Sequence, residues 1–320
     1  MKDFVHQHVV APFELQALSG GANSRVYYVH SACGQYILKQ FFTRSEDYKE
    51  KCLRELNFLN MLMRKGMPNT AKVIAHDIEL GLLLTTHLPG EKITSPTAEN
   101  VKKAFEFIVD CNQTCAQPLR SLPQAKDAVT TLRDFITLVE NRIAATEQSG
   151  ISPAYQRLIN TKIKPLFADI LTTHGQLNWE QSVNCVHLSP SDFGFHNILQ
   201  AQDTLYFFDF EYAGIDSLWK LTADFFAQPQ IPAPIESISV LKDMPLFGFI
   251  SEFKEEFIVA YQLTRIKWCF IIGSCFITQV QKRRAFADKG NVLDEHQTIK
   301  TIEHYLAQTA QHVQLMTKQL

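Results

Sequence analysis

The feature that most constrains this chain is a change of hydrophobic period at Pro89-Gly90. Before it, residues 13–18, 25–30 and 35–42 are short stretches rich in aromatic and β-branched side chains, separated by Gly-containing turns. That pattern specifies consecutive antiparallel strands. Residues 43–46 then offer a capping box, and Cys52, Leu56, Leu59 and Met63 follow at helical spacing. Lys65-Gly66 and Pro68 stop this helix, and two more strands are expected over 72–77 and 82–86. Beyond the break helical spacing dominates, over 98–115, 127–145, 154–173, 220–227 and much of 252–320. Residues 186–210 differ, with a polar loop followed by a strand. The economical expectation is an α+β chain of two lobes. A small antiparallel-sheet lobe with one helix spans 1–88, and a larger, mainly helical lobe spans 89–320, with a hinge near 87–91.

Composition narrows the partners. With 320 residues, 46% hydrophobic and 20% charged, the chain reads as a globular protein able to bury a sizeable core. Its net charge is -2 and its basic residues are dispersed, so nucleic acid is not an expected partner. The longest uncharged, mostly apolar run, 268–281, is too short to span a bilayer and reads as a buried helix, so no membrane partner is expected. His6 and His8 interrupt the start, which lacks signal architecture and reads as a solvated tail. Seven cysteines, an odd number, suggest reduced thiols in a cytoplasmic protein rather than a disulfide framework. Cys111 and Cys115 could share a helix face, but no second pair follows to close a zinc site.

The chemistry concentrates in Leu188-Ser-Pro-Ser-Asp192-Phe-Gly-Phe-His-Asn197 and in Leu205-Tyr-Phe-Phe-Asp209-Phe-Glu. Phosphoryl transfer from ATP needs a carboxylate to receive the acceptor's proton and hard oxygen ligands for magnesium. Asp192 and Asn197 stand five apart across a loop, so one can face the acceptor and the other the metal. Asp209 ends an apolar strand, a rigid place for a second metal ligand. The D-x-x-x-x-N pair alone arises by chance in a chain of this size. Joined to a strand ending in Asp, it is much rarer.

These residues resemble the catalytic and metal-binding loops of the aminoglycoside phosphotransferase and choline kinase-like family, small-molecule relatives of protein kinases. The resemblance implies a protein-kinase-like two-lobe fold and an ATP- and magnesium-dependent transfer of the γ-phosphoryl group to a hydroxyl of a small molecule. It assigns Asp192 as catalytic base, and Asn197 and Asp209 as magnesium ligands. The first lobe supplies matching parts. Lys39, on the apolar strand Tyr36-Ile-Leu-Lys39, is placed to hold the α/β-phosphates, with Glu55 on the next helix to orient it. Gly20, Gly21 and Ser24 lie in the turn that would cover the phosphates, and Thr86 to Leu88 at the hinge would pair with adenine. Taken singly, Gly20-Gly21 is a hairpin turn, Lys39 a solvated strand lysine and Glu55 a solvated helix charge. Their order relative to Asp192, Asn197 and Asp209 argues otherwise.

Two departures stand out. Many relatives carry His two residues before the catalytic Asp, where this chain has Pro190, and the phosphate-covering turn has fewer glycines than a protein-kinase loop. Glu211 stands where protein kinases have Gly, a position that varies among the small-molecule relatives. His196 reads as a loop-packing or solvent-facing side chain, and His187 is available as a substitute loop anchor. Asp224 reads equally as a brace for the catalytic loop or as a surface helix carboxylate. Glu211, Asp216, Glu252, Glu255 and Glu256 are candidates to recognise a cationic amine, although solvated charge is their ordinary role. The acceptor stays open among sugars, amino sugars, amino alcohols and similar molecules. A catalytically inactive, kinase-like nucleotide-binding scaffold is the alternative, and a full set of Lys, Asp and metal ligands weighs against it. No P-loop, dinucleotide glycine fingerprint, H-E-x-x-H helix or G-x-S-x-G elbow points elsewhere.

Overall fold

The structure, a computed structural model, describes residues 1–18, 23–113, 122–287 and 294–320. Gly20, Gly21 and Cys115 lie outside the described residues. The chain divides into two compact units. The first is Met1–Lys92, Ile198–Ala213 and Gln279–Val292, and the second is Ile93–Asn197, Gly214–Thr278 and Leu293–Leu320.

The first unit begins with α1 (Lys2–His8), whose Phe4 and Val5 are buried beside Val29, Leu38 and Leu84. The chain's start is therefore a helix docked on a core, not the expected solvated tail. Strands β1 (Phe13–Leu18), β2 (Ser24–Ser31) and β3 (Gly34–Phe41) precede α2 (Tyr48–Arg64), and β4 (Val73–Asp77) and β5 (Leu82–Thr86) follow it. They form one antiparallel sheet in the order β1-β2-β3-β5-β4. Strand β3 is central, and alternation along it sends Leu38 into the α1-side core and Lys39 to the other face. The expected capping box at 43–46 is not used. Helix α2 starts at Tyr48, and the Asp47 before it gives no side-chain cap, its carboxylate being taken by the Lys51 ammonium at 2.8 Å and by the Ser45 hydroxyl. At its other end Gly66 adopts φ +70°, where a side chain would be strained, and the Met67 N–H closes on the Leu62 carbonyl at 3.1 Å.

After the short β6 (Glu91–Lys92) come α3 (Ala98–Gln113), α4 (Leu132–Glu147), α5 (Pro153–Leu158), α6 (Lys164–Thr173) and β7 (Cys185–Ser189). Helix α3 buries Val101, Ala104, Phe105 and Ile108, one stripe of a 3.6-residue period. Helix α4 carries a capping box, with Asp134 accepting the Thr131 N–H at 2.9 Å. A π-helical turn, Ile159–Ile163, joins α5 to α6. The chain then returns to the first unit as β8 (Ile198–Ala201) and β9 (Thr204–Phe207), which extend β6 into a sheet of order β6-β8-β9.

Strand β10 (Gly214–Ser217) pairs antiparallel with β7 in the second unit and runs into α7 (Leu218–Ala227), every residue of which is buried. Helices α8 (Phe249–Glu252) and α9 (Lys254–Ile272) follow. The run 268–281 is not one buried helix. Helix α9 ends at Ile272 and a 3-10 turn, Gly273–Phe276, precedes α10 (Thr278–Ala287). The Tyr155 ring explains the glycine there, since a Cβ on Gly273 would lie 2.0 Å from the Tyr155 hydroxyl oxygen. Helices α11 (Glu295–Ala307) and α12 (Thr309–Gln319) close the chain. They are tied to α9 by Arg265, which stacks on the Tyr305 ring at 3.8 Å and donates to Thr309 Oγ1 at 3.0 Å. No described helix is long and apolar enough to cross a membrane.

Candidate functional site

In the first unit, Lys39 is buried on β3, and its Nζ lies 2.6 Å from Glu55 Oε2, 2.6 Å from Asp209 Oδ1 and 3.2 Å from Glu211 Oε2. Glu55 comes from the buried face of α2. Asp209 stands 170 residues from Lys39, just after β9, with a left-handed φ of 67° that Asp tolerates better than most residues. Phe210 anchors this turn by packing on Phe58 of α2 at 5.0 Å, so Asp209 and Glu211 flank the buried ring and both reach Lys39. Asn23 Nδ2 donates to Glu211 Oε1 at 2.5 Å and to the Tyr212 hydroxyl at 3.0 Å, which ties the start of β2 to the same turn.

Burial by itself would lower the Lys39 pKa, but the charges of Asp209, Glu55 and Glu211 raise it well above the ordinary lysine value. Burial pushes the Glu55 carboxyl up to about 7, with Lys39 opposing and Asp209 and Glu211 reinforcing the rise. Carboxylate oxygens of Glu55, Asp209 and Glu211 lie within 4.8 Å of one another around the Lys39 ammonium. The Lys39 ammonium already meets this all-oxygen set, and Asp209, the most exposed of the three, is the carboxylate whose oxygens suit a hard divalent cation such as magnesium. Ser24, at the start of β2 opposite Phe41, is buried. At the end of β5, the Thr86 N–H donates to the Lys72 carbonyl at 2.9 Å, so that donor is already used. Leu88, half-buried in the segment after β5, makes no backbone hydrogen bond among the described residues.

In the second unit, Asp192 sits in the loop after β7. Phe193 and Phe195 point inward on either side of Gly194 and meet the Phe225 ring of α7 at 5.2 and 5.1 Å. This alternation pins the loop and leaves Asp192 one-third exposed, at 33% of its side chain. Burial works against the Asp192 carboxylate. The hydrogen bond and charge of His196, the charge of Lys267 and a hydrogen bond from Asn197 together hold its pKa below the usual value. Asn197 Nδ2 donates to the Asp192 carbonyl at 3.0 Å, an orientation in which Oδ1 is the side chain's remaining acceptor. His196 Nε2 lies 3.1 Å from Asp192 Oδ1, so this histidine faces the key carboxylate rather than solvent. His187 does not anchor the loop, because its Nδ1 lies against the Asn184 carbonyl at 3.3 Å.

Several carboxylates have other roles than expected. Asp224 is buried, receiving Lys267 Nζ at 2.5 Å and Trp268 Nε1 at 3.0 Å, so it braces α7 on α9. Asp216 is buried against Lys220 Nζ at 2.9 Å, and Glu211 belongs to the Lys39 cluster, so neither is a solvated carboxylate. Glu255 is exposed and pairs with His174 and Gln176. Spacing in the sequence did not mark Glu211 as a partner of Lys39, nor His196 as a partner of Asp192.

Residues 14–220 match the model of the phosphotransferase enzyme family. No curated protein matches the chain by sequence. Among solved structures, spectinomycin phosphotransferase APH(9)-Ia, in complex with ADP and spectinomycin, superposes with a TM-score of 0.62 at 12% identity, over 99% of this chain and 97% of that one. The gentamicin complex of APH(2")-IIa gives 0.62 at 14% identity, covering 98% and 96%. Choline kinase from Cryptosporidium parvum Iowa II gives 0.56 at 15% identity, covering 96% and 92%. At these identities the likeness is one of fold. The fold is α+β and protein-kinase-like, with an antiparallel sheet in one unit and a mainly helical second unit.

Proposed function

This chain belongs to the phosphotransferase enzyme family, and from that premise we propose that it is an ATP- and magnesium-dependent kinase acting on a small-molecule hydroxyl. The observation that carries the reading is the buried Lys39 held by Glu55 and Asp209, three residues that 170 positions of sequence separate. In this reading Glu55 orients Lys39, whose ammonium meets the α/β-phosphates under Ser24 and the adjoining Gly20-Gly21 turn, with Thr86 to Leu88 beside adenine. The first unit is thus the nucleotide-binding part, and the second the catalytic and acceptor-binding part. Magnesium, when bound, neutralises charge developing on the phosphate oxygens, and Asn197 and Asp209 are the side chains that would hold it. Asp192 accepts the acceptor's hydroxyl proton as that oxygen bonds to the γ-phosphorus. The bond from this phosphorus to the β–γ bridging oxygen breaks, and ADP leaves.

Little covalent work falls to the protein, since positioning and charge supply most of the acceleration. Structural neighbours that bind spectinomycin or gentamicin, or that act as choline kinases, support a sugar, amino sugar or amino alcohol as acceptor. A cytoplasmic setting is part of this proposal, supported by the free thiols of the described cysteines.

The test is an ADP-release screen over such hydroxyl compounds with MgATP, using Asp192→Asn as the blank. Asp192→Asn is expected to lower kcat by about 10²–10⁴-fold while leaving nucleotide binding largely intact. Wild-type rates in that variant would remove Asp192 as the base. A MgATP-dependent rise in thermal stability with no acceptor turned over would favour the nucleotide-binding scaffold.

A further inference from the structure

One contact of Asp192 goes unused in the reaction as written above. The His196 ring is 14% exposed, with Nε2 at 3.1 Å from Asp192 Oδ1. Its other nitrogen, Nδ1, is buried and has no hydrogen-bond partner. A proton on Nδ1 would bury an unpaired N–H, whereas the neutral ring with its single proton on Nε2 buries only a lone pair. The second arrangement makes Nε2–H a donor to Asp192 Oδ1. Gly194 supplies the floor for this ring. A Cβ there would lie 2.9 Å from His196 Nδ1 and 3.1 Å from Cε1. The backbone on either side is independently held, by the Phe193 and Phe195 rings against Phe225 and by Asn197 on the Asp192 carbonyl. What the backbone does not fix is the last torsion of the aspartate, which is broad and soft for a carboxylate.

We propose that His196 is a positioning residue for Asp192, its Nε2–H holding Oδ1 so that Oδ2 is the oxygen presented to the acceptor hydroxyl. The inference rests on the phosphotransfer reading above. The imidazole takes no proton from the acceptor and acts only by removing rotational freedom from the carboxylate. Its contribution therefore falls on kcat and not on nucleotide affinity.

The experiment measures ADP release from MgATP with water as the acceptor, so that no acceptor need be known. His196→Leu is expected to lower kcat by about 10- to 100-fold with the KM for ATP within about twofold. His196→Gln, whose amide N–H can reach the same oxygen, should stay within about threefold of wild type. Gly194→Ala, which pushes the ring from its floor, should fall between them. Equal losses in Leu and Gln, no loss in Leu, or a rise in KM in place of the fall in kcat would overturn the proposal. Nitrogen-15 NMR of the histidine side chains gives a readout independent of turnover. Wild type should show His196 as the Nε2-protonated tautomer, a state that Asp192→Ala releases into mixed tautomers. An Nδ1-protonated or charged ring in wild type overturns the pairing. Should wild type release no ADP to water, the tautomer alone decides whether His196 holds Asp192, and should Asp192→Asn release it as fast as wild type, the phosphotransfer reading itself falls.

Discussion

Each unit buries lysine among carboxylates, but the two clusters are balanced differently. Lys39 faces Glu55, Asp209 and Glu211, one cation against three acids, and 35% of the Asp209 side chain is in solvent. Lys220 and Lys267 face Asp216 and Asp224, two against two, and none of the four side chains is more than 7% exposed. In the closed, balanced cluster every charge is desolvated and already compensated, so the group can only hold elements together. It joins β10 to α7 through Asp216–Lys220 and α7 to α9 through Asp224–Lys267. In the open cluster an excess of acid remains and one carboxylate is partly exposed. Burial of charge is therefore no sign of function by itself. Imbalance combined with partial exposure is what separates the two clusters.

The largest expected effect breaks the balanced cluster. Asp216→Ala leaves Lys220 buried and half-compensated, and should cost about 3–5 kcal/mol in urea unfolding. A loss below about 1 kcal/mol would mean that the closed cluster is not structural. The open cluster should behave in the opposite way. Asp209→Asn is expected to change ligand-free stability little, yet to remove the magnesium-dependent part of stabilisation by ATP. For wild type at a hundredfold excess over Kd that stabilisation is about 2.7 kcal/mol. A full MgATP response in the variant would separate Asp209 from the metal.

Smaller effects lie in pH dependence, where the two units should slope in opposite senses. The Glu55 pKa is raised to about 7 from an ordinary 4.5, so the folded state binds this proton more tightly. Its stabilising share is complete below about pH 4.5 and is lost as pH rises through about 7, and Glu55→Gln should flatten that slope. His312, in the second unit, has its pKa lowered to about 4, mainly by burial and then by the Arg265 charge. Its contribution is present above about pH 6.5 and is lost as pH falls toward about 4. His312→Asn, which keeps an acceptor for the Arg265 guanidinium, should remove this slope and do little else at pH 8. Thermal unfolding across pH 4–8 measures both variants. Parallel slopes in the two would contradict the opposed protonation states.

Legibility in the sequence followed how tightly chemistry restricts residue type. The strands around β3, helix α2 and its Gly66 stop were readable because period and punctuation are local properties. Lys39, Glu55 and Asp209 could be singled out because a triphosphate needs a cation, a partner for it and a hard oxygen ligand in a set order. Glu211, Asp216 and Asp224 could not be sorted, since a carboxylate in sequence carries no mark of whether a lysine meets it. The start of α2 was misplaced as well, since residues 43–46 cap a helix only if one begins there, and this helix begins at Tyr48. Likewise, His196 had no local feature that separates a ring facing solvent from one facing Asp192.

By itself, then, the sequence determined the two kinds of architecture, the break near Pro89-Gly90 and the residue types of the chemistry, because period, turns and acid–base character are carried by neighbouring residues. Tertiary structure alone decided that β8, β9 and Asp209 pack with the first ninety-two residues, although they lie deep in the chain's later, helical part. It also decided which acids neutralise Lys39, which brace α7, and which histidine nitrogen meets Asp192. Those outcomes depend on distances of a few ångströms between residues far apart in sequence, and on burial, which changes what a charge costs and what it can bind.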